Sequence, residues 1–129
     1  MNTPAPPEPD HDSGPFWVAL DEERIVLQRC AGCDRLRFPP IGRCPWCREP
    51  RSTWTPVDGR GRVYSWTVVH HAFEPAFADD VPYVVATVDL DDGPRIALRC
   101  AGVPDFGTRV SPAFVRHDGW TELRVVPDA

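Results

Sequence analysis

The sequence predicts a mainly β protein in three parts: a short N-terminal helix, a ribbon organised around four cysteines, and a barrel of five strands. Two Cys-x-x-Cys pairs lie ten residues apart, and the chain after them has a period of two with turn residues between most of the strands. No helical segment is long enough for a βαβ crossover, which argues against a Rossmann-type domain. With 129 residues, the chain fits one domain plus a subdomain.

The N-terminal region is predicted to be a disordered arm followed by a docking helix. Residues 1–12 are rich in proline and acid and have little to bury, so we expect them to be disordered. Ser13 is a suitable N-cap, and the helix is predicted over 13–23. One face of this helix carries Phe16, Trp17 and Leu20. A helix of this length is unstable alone, so it must dock on its own domain or on another chain, and we favour a partner chain.

The two cysteine pairs predict a closed metal site in a ribbon over residues 24–57. Each pair offers two thiolates from one tight turn, and two facing pairs make a tetrahedral site that suits Zn(II). The predicted ligands are Cys30, Cys33, Cys44 and Cys47. Four protein ligands leave no open coordination position, which favours a structural zinc over a catalytic one. Iron in a rubredoxin-type electron carrier and a pair of disulfides are the alternatives.

Residues 58–129 are predicted to form an OB-fold barrel. The segments rich in β-branched and aromatic residues are 63–70, 83–90, 95–101, 108–117 and 121–126. Five strands at this spacing favour a small closed or partly open barrel, for which the OB-fold is the simplest choice. The longest connection, 71–82, carries Phe73 and Phe77 without regular structure of its own, so we predict that it is a binding surface.

Charge is unevenly distributed along the chain. All 14 basic residues are arginine, and the segment 24–62 contains nine of them against three acids, a net charge of +6. The rest of the chain has five arginines and 16 acids, a net charge of −11. A basic ribbon on an acidic body predicts a local site for an anion or an acidic partner. A zinc-ribbon/OB-fold nucleic-acid-binding protein is an alternative, but the acidic barrel opposes binding to a phosphate backbone.

Catalysis by this chain alone has no support in the sequence. The four histidines accompany no serine or cysteine nucleophile in a recognisable motif, and strand alternation lets only one of His70 and His71 face a ligand. Cys100 is predicted to be a buried strand residue. The N-terminal sequence lacks the apolar region of a signal peptide, and no apolar run approaches the ~20 residues that cross a bilayer. We therefore expect a cytoplasmic protein with no membrane span.

The order of motifs resembles a known family. A Phe-Trp helix is followed by RIVLQRCAGCDRLRFPP, CPWC, GRGRVYSWTVVHHAFEPAF, VPYVVATVDLDDGPRI and GTRVSPAF. These segments span residues 15–127 and resemble the "domain of unknown function 35" family of small zinc-ribbon/OB-fold proteins associated with acyl-CoA enzymes. Asp34 stands where the family usually has glycine after the first cysteine pair. Aspartate tolerates a left-handed backbone, so we expect the metal site to be kept.

The resemblance implies a non-catalytic partner of a thiolase-like enzyme, either a lipid-transfer-protein-type thiolase or an aldolase, or of a MaoC-like enoyl-CoA hydratase. Such subunits help to bind acyl-CoA or complete the partner's active site, in some cases during retro-aldol cleavage of steroid side chains. For this chain, the implied contacts with acyl-CoA or the partner are Phe16, Trp17, Leu20, Arg37, Arg60, Arg62, His70, Phe73 and Phe77. Arginine suits the CoA phosphates because its planar fork binds two oxygens at once.

Overall fold

The computed structural model describes residues 4–128, which form one α-helix, a three-stranded sheet and a closed five-stranded barrel. The elements in chain order are α1 (Gly14–Asp21), β1 (Ile25–Cys30), β2 (Leu36–Arg37), β3 (Ser52–Val57), β4 (Gly61–Val69), a 3₁₀ turn (Pro75–Phe77), β5 (Tyr83–Leu90), β6 (Arg95–Cys100), β7 (Arg109–His117) and β8 (Trp120–Pro127). The mainly β architecture predicted from the sequence is confirmed. Within residues 4–128, no helix is both long enough and apolar enough to cross a membrane.

The ribbon is an antiparallel sheet in the order β2-β1-β3. Its central strand β1 pairs with β3 over six positions, from Ile25 opposite Val57 to Cys30 opposite Ser52. β3 is absent from the sequence prediction, because its Pro56 is unfavourable in the interior of a strand. In the structure β3 is an edge strand of this sheet, where a proline without an N–H group is tolerated.

The barrel strands follow the order β4-β5-β6-β8-β7 around a closed circle. Neighbouring strands are antiparallel except for β6 and β8, which run parallel. Closure occurs at the start of β4, where Gly61 pairs with Leu90 of β5 on one side and with Val110 of β7 on the other. The five strands predicted after residue 58 are confirmed, with ends that differ by at most two residues.

One continuous apolar core joins the helix, the ribbon and the barrel. Its buried members include Phe16 and Leu20 from α1, Ile25 and Leu27 from β1, Leu36 from β2, and Val63, Val88, Val110 and Val125 from the barrel. Helix α1 contacts both β1 and β8. The docking prediction is therefore corrected for Phe16 and Leu20, which are 5% and 0% exposed and unavailable to a partner chain. The short helix buries its apolar face against its own chain.

The helix ends two residues earlier than predicted. Glu22 and Glu23 donate backbone hydrogen bonds to Ala19 and Leu20, and Glu23 then adopts a left-handed conformation with φ 56°. This conformation terminates the helix after Asp21. At the other end, Ser13 occupies the N-cap position, but its side chain makes no capping hydrogen bond.

Residues 4–12, which belong to the predicted disordered arm, form neither helix nor strand. The indole Nε1 of Trp120 donates a hydrogen bond to the carbonyl oxygen of Pro4 at 3.1 Å. The start of this segment therefore lies against the barrel. Residues 1–3 of the predicted arm lie outside the described residues.

Candidate metal centre and arginine-lined pocket

The four predicted ligand cysteines converge on one point of the ribbon. The Sγ atoms of Cys30, Cys33, Cys44 and Cys47 all lie within 4.8 Å of one another. The Cys30–Cys47 sulfurs are 3.4 Å apart and the Cys33–Cys44 sulfurs are 3.6 Å apart. Tetrahedral coordination with bonds of about 2.3 Å places its sulfurs about 3.8 Å apart. The donor set and its spacing therefore fit one metal ion, and all four cysteines are free of disulfides.

Tight turns of the same kind present both cysteine pairs. In the first turn, the N–H groups of Gly32 and Cys33 point at the sulfur of Cys30, with N···S distances of 3.3 and 3.4 Å. Asp34 and Arg48, each following the second cysteine of its pair, have left-handed backbones with φ of 66° and 68°. Asp34 thus adopts the conformation for which the family usually has glycine, as expected from the sequence.

The surroundings shift the pKa values of Cys44 and Cys47 in opposite directions. Burial favours the neutral thiol of Cys44, but the N–H groups of Cys47 and Trp46 point at its sulfur, and the net effect lowers the pKa of Cys44 to about 6. The N–H of Glu49 favours a thiolate at Cys47, yet the Cys30 sulfur, burial and the other two thiols together raise the pKa of Cys47 to about 12. A cation at the centre of the cluster would favour the thiolate form of all four, since metal ligation requires deprotonated thiols.

A cavity of about 510 Å³ lies between the ribbon and the β5–β6 hairpin. We call it the arginine-lined pocket. Its walls include Arg29, Arg35, Arg37 and Arg95 together with Phe38, Trp46 and Asp92. The guanidinium of Arg35 lies over the Trp46 ring, 5.1 Å from its centroid, so a planar cation and a large exposed aromatic surface stand side by side at the wall.

Arg37 is buried in the wall of this pocket, with 2% of its surface exposed. Its Nε donates to Gln28 Oε1 at 3.2 Å and its Nη2 donates to the Ile41 carbonyl at 3.1 Å. Nη1 is buried and has no hydrogen-bond acceptor among the described residues. Neither partner of the guanidinium carries a negative charge, and a buried cation without a counter-charge is unfavourable. Arg29 and Arg95 are paired with Asp34 and Asp89, so among the described residues Arg35 and Arg37 are the pocket arginines without a carboxylate partner.

The structure separates the other predicted arginines from Arg37. Arg60 and Arg62 are exposed and lie near Asp91, which accepts two hydrogen bonds of 2.7 Å from Arg109. The hydrogen bonds from Arg109 and the charges of Arg62 and Arg60 lower the pKa of the Asp91 carboxyl. Asp91 thus already provides a negative partner for this second cluster.

The predicted loop residues differ in their exposure and contacts. His70 is exposed directly after β4. Phe73 is 86% exposed, and its ring meets the ring of His71 edge-on at 4.6 Å. Phe77 is half-buried and packs near Tyr83, with 6.3 Å between ring centroids. Phe77 also shares a groove with Trp17, so the fold brings a predicted loop contact next to a predicted helix contact.

A polar and aromatic cluster at the β7–β8 hairpin was not predicted from the sequence. His117 Nε2 lies 2.7 Å from Glu122 Oε1, and Arg124 Nη2 donates to the same oxygen at 2.9 Å. The His117 ring stacks on Trp120 at 4.4 Å. The hairpin turn at Asp118-Gly119 and the strand period of two together place His117 opposite Trp120, so pairing the two predicted strands across this turn would have found the contact.

This architecture, a four-cysteine ribbon continuous with a five-stranded barrel, defines a zinc-ribbon/OB-fold protein. Residues 17–51 match the family described as "ChsH2, rubredoxin-like zinc ribbon domain", and residues 54–115 match "ChsH2, C-terminal OB-fold domain". The chain belongs to the DUF35 family, as its resemblance implied.

Three similar proteins illustrate the family. A "probable enoyl-CoA hydratase alpha subunit" of Thermomonospora curvata is 45% identical over 94 residues, which are 70% of this chain and 28% of that protein. The "3-oxo-4,17-pregnadiene-20-carboxyl-CoA hydratase alpha subunit" of Mycobacterium tuberculosis is 28% identical over 126 residues, 95% of this chain and 40% of that protein. Our chain thus spans well under half of either relative. A chain in the solved structure "Ltp2-ChsH2(DUF35) aldolase" is 34% identical with a TM-score of 0.83, covering 95% of this chain and 98% of that one.

Proposed function

We propose that this protein is a non-catalytic accessory subunit of a thiolase-like enzyme of the lipid-transfer-protein thiolase or aldolase type. One observation carries the proposal: the similarity to the chain from the aldolase complex covers nearly the full length of both chains. The substrates of the complex would be acyl-CoA thioesters, including those with a steroid side chain, as the name of the mycobacterial relative suggests. The complex would work in the cytoplasm, where the five free cysteines stay reduced.

A MaoC-like enoyl-CoA hydratase is the second candidate partner. Two relatives carry hydratase alpha-subunit names, and one of them is 45% identical to this chain. Both relatives are much longer than this chain, so the matched region need not carry the hydratase activity. This candidate predicts assembly with a hydratase subunit in place of a thiolase-like one.

We also propose that the metal of the ribbon is zinc, held by the four cysteines in a structural role. Four thiolates in tetrahedral array suit Zn(II), and they leave no position for substrate. Zinc would supply a fixed centre that holds the two turns together. The ribbon residues themselves would then present the arginine-lined pocket to its ligand.

The arginine-lined pocket is our candidate for the nucleotide end of acyl-CoA. The buried guanidinium of Arg37 provides positive potential, and Arg35 is exposed at the rim, where it can bind a phosphate through its planar fork. The flat face of Trp46 beside Arg35 could stack on the adenine ring. Arg60 and Arg62, which lie near Asp91, would contact the partner instead. In this arrangement the exposed residues Phe73 and His70 would face the partner or the pantetheine arm.

Assembly and turnover test the proposed function directly. The purified chain is expected to show no turnover of acyl-CoA substrates, and mixing it with a thiolase-like enzyme is expected to give a stable complex with aldolase or thiolase activity. Size-exclusion chromatography and a coupled assay measure the two properties. Phe73→Ser should weaken the complex without lowering the melting temperature of the isolated chain, because Phe73 is exposed there.

Phe106→Ser provides a matched control for this experiment, since Phe106 is also strongly exposed but lies outside the 71–82 loop. If both variants weakened the complex equally, the prediction that the 71–82 loop contacts the partner would be wrong. Turnover by the chain alone at the rate of a complex would overturn the accessory role. Assembly with a hydratase subunit and not with a thiolase-like enzyme would favour the second candidate.

Arg35→Ala is expected to raise the KM of the complex for acyl-CoA about tenfold, because a charge-assisted hydrogen bond contributes about 1.5–3 kcal/mol. The value of kcat should change little, since the arginine contacts the nucleotide and not the reacting thioester. Arg43→Ala removes an exposed ribbon arginine outside the pocket and is the control. An unchanged KM for Arg35→Ala would exclude the pocket as the binding site for the nucleotide of acyl-CoA. Tight binding of a single-stranded oligonucleotide would support the nucleic-acid alternative.

A further inference from the structure

A groove of about 350 Å³ lies where α1, the 3₁₀ turn and β8 meet. We call it the proline groove. Its walls from the folded body are Trp17, Glu74, Phe77, Trp120 and Glu122, and its remaining walls are Pro4, Ala5 and Pro7 of the N-terminal segment. The proline-rich residues of the chain thus lie along an aromatic groove and form one side of it.

The two half-buried prolines of the N-terminal segment are three residues apart. Pro4 and Pro7 are half-buried, whereas Ala5 and Pro6 between them are exposed. Three residues per turn is the period of the polyproline II helix, in which positions i and i+3 share one face. The sequence Pro4-Ala5-Pro6-Pro7 is a P-x-x-P motif, the pattern that aromatic-lined grooves recognise in extended peptides.

Trp120 makes a hydrogen bond to the N-terminal segment. Its indole Nε1 donates a hydrogen bond of 3.1 Å to the Pro4 carbonyl. An indole N–H is a donor only and a proline carbonyl is an acceptor only, so the pair is complementary. Aromatic grooves that bind proline-rich segments combine flat apolar walls with such donors to backbone carbonyls.

The Trp120 ring is held in place from two sides. Trp17 meets it edge-on at 6.3 Å, and His117 stacks on it at 4.4 Å. His117 is in turn fixed by Glu122, which also binds Arg124. None of these contacts involves residues 4–7, so they would persist when the segment leaves, and a preformed site loses little freedom on binding.

A compact turn directs the segment into the groove. Asp10 Oδ1 accepts backbone hydrogen bonds from Asp12 and Ser13 at 3.0 and 2.8 Å, and the Ser13 hydroxyl accepts one from the Asp10 N–H at 3.1 Å. These bonds link the segment to the first turn of α1. The residues between this turn and the groove are exposed, so they act as a short tether.

We infer that the aromatic wall of the proline groove is a binding site for extended peptides with P-x-x-P spacing, and that residues 4–7 of this chain lie against it as an exchangeable intramolecular ligand. The tether gives the attached segment an effective concentration in the millimolar range. A free peptide of the same sequence should therefore enter only when the attached segment has been weakened. This inference is independent of the partner enzyme proposed above.

The experiment uses the full-length chain and two matched double variants. Pro4→Ala/Pro7→Ala changes the two half-buried prolines, and Pro6→Ala/Pro9→Ala changes two exposed ones. The readout is hydrogen exchange of the Trp120 indole N–H by NMR, with the signal assigned through Trp120→Phe. Exchange should accelerate roughly tenfold in the first variant, because the indole loses its hydrogen bond for much of the time. The second variant should match the unmodified chain.

A synthetic peptide of residues 4–12 is then added at millimolar concentration to the Pro4→Ala/Pro7→Ala chain. We expect saturable restoration of the slow indole exchange, and no restoration by the same peptide with both inward prolines changed to alanine. Equal exchange in the two double variants would overturn the inference. It would also be overturned if neither peptide restored slow exchange or if both did so equally.

Discussion

Cys44→Ser is expected to abolish metal binding and to unfold the ribbon. Cys44 is 2% exposed and its sulfur lies 3.6 Å from that of Cys33, so the variant leaves three thiolates and a weakly coordinating hydroxyl around the ion. Structural zinc contributes on the order of 10 kcal/mol to the folding of small modules. The two turns have no apolar core of their own to replace that contribution, because none of the four cysteines belongs to the buried core cluster.

Metal content per chain, measured by atomic emission, should fall from one to near zero in this variant. The melting temperature should fall with it. Cys100→Ser is the matched control, since Cys100 is also a buried free cysteine but lies outside the cluster, in β6. That variant should keep its metal. Full metal occupancy in Cys44→Ser would contradict the four-cysteine assignment, and an iron-type absorbance spectrum in the purified protein would contradict zinc.

Gly61→Ala is expected to destabilise the barrel by about 3 kcal/mol, because it overpacks the point of closure. A Cβ at Gly61 would collide with the backbone carbonyl of Asp89 and would lie 2.8 Å from Val88 Cγ1. Neither residue can move easily to make room for the added Cβ. Asp89 is paired within the sheet on both sides, and Val88 is fully buried. The midpoint of urea denaturation measures the loss of stability.

Gly14→Ala is the control for the barrel variant. Gly14 begins α1 and has open space around its Cα, with no positive φ. Alanine is a better helix former than glycine, so the change should leave stability unaltered or raise it by up to about 1 kcal/mol. If both glycine variants unfolded at the same urea concentration as the unmodified chain, the close packing of Gly61 against Asp89 and Val88 would be contradicted.

The sequence predicted those features that depend on local patterns. Alternating β-branched residues defined all five barrel strands, and the spacing of four cysteines defined the metal cluster, because both signals are contained within short segments. β3 was missed since tertiary pairing with β1 overrides its Pro56. The docking of Phe16 and Leu20 was decided by a core that forms only when helix, ribbon and barrel come together.

The candidate binding sites were predicted only in part for a related reason. The arginine-lined pocket combines ribbon residues such as Arg37 with Arg95 from the β5–β6 hairpin, and no sequence spacing connects the two. The proline groove likewise joins the first residues of the chain to Trp120 near its end. Contacts between such distant segments follow from the topology of the sheet and not from local composition.

The continuous core couples the ribbon to the barrel, so the lifetime of the barrel is expected to depend on the supply of metal. A ligand that binds only the folded state adds stability that grows with the logarithm of its free concentration. Because Leu27 of the ribbon and Val88 of the barrel belong to the same cluster, that gain extends beyond the cysteines to the whole chain. Metal starvation would therefore expose the protein to proteolysis throughout its length, so that its abundance follows the metal status of the cell.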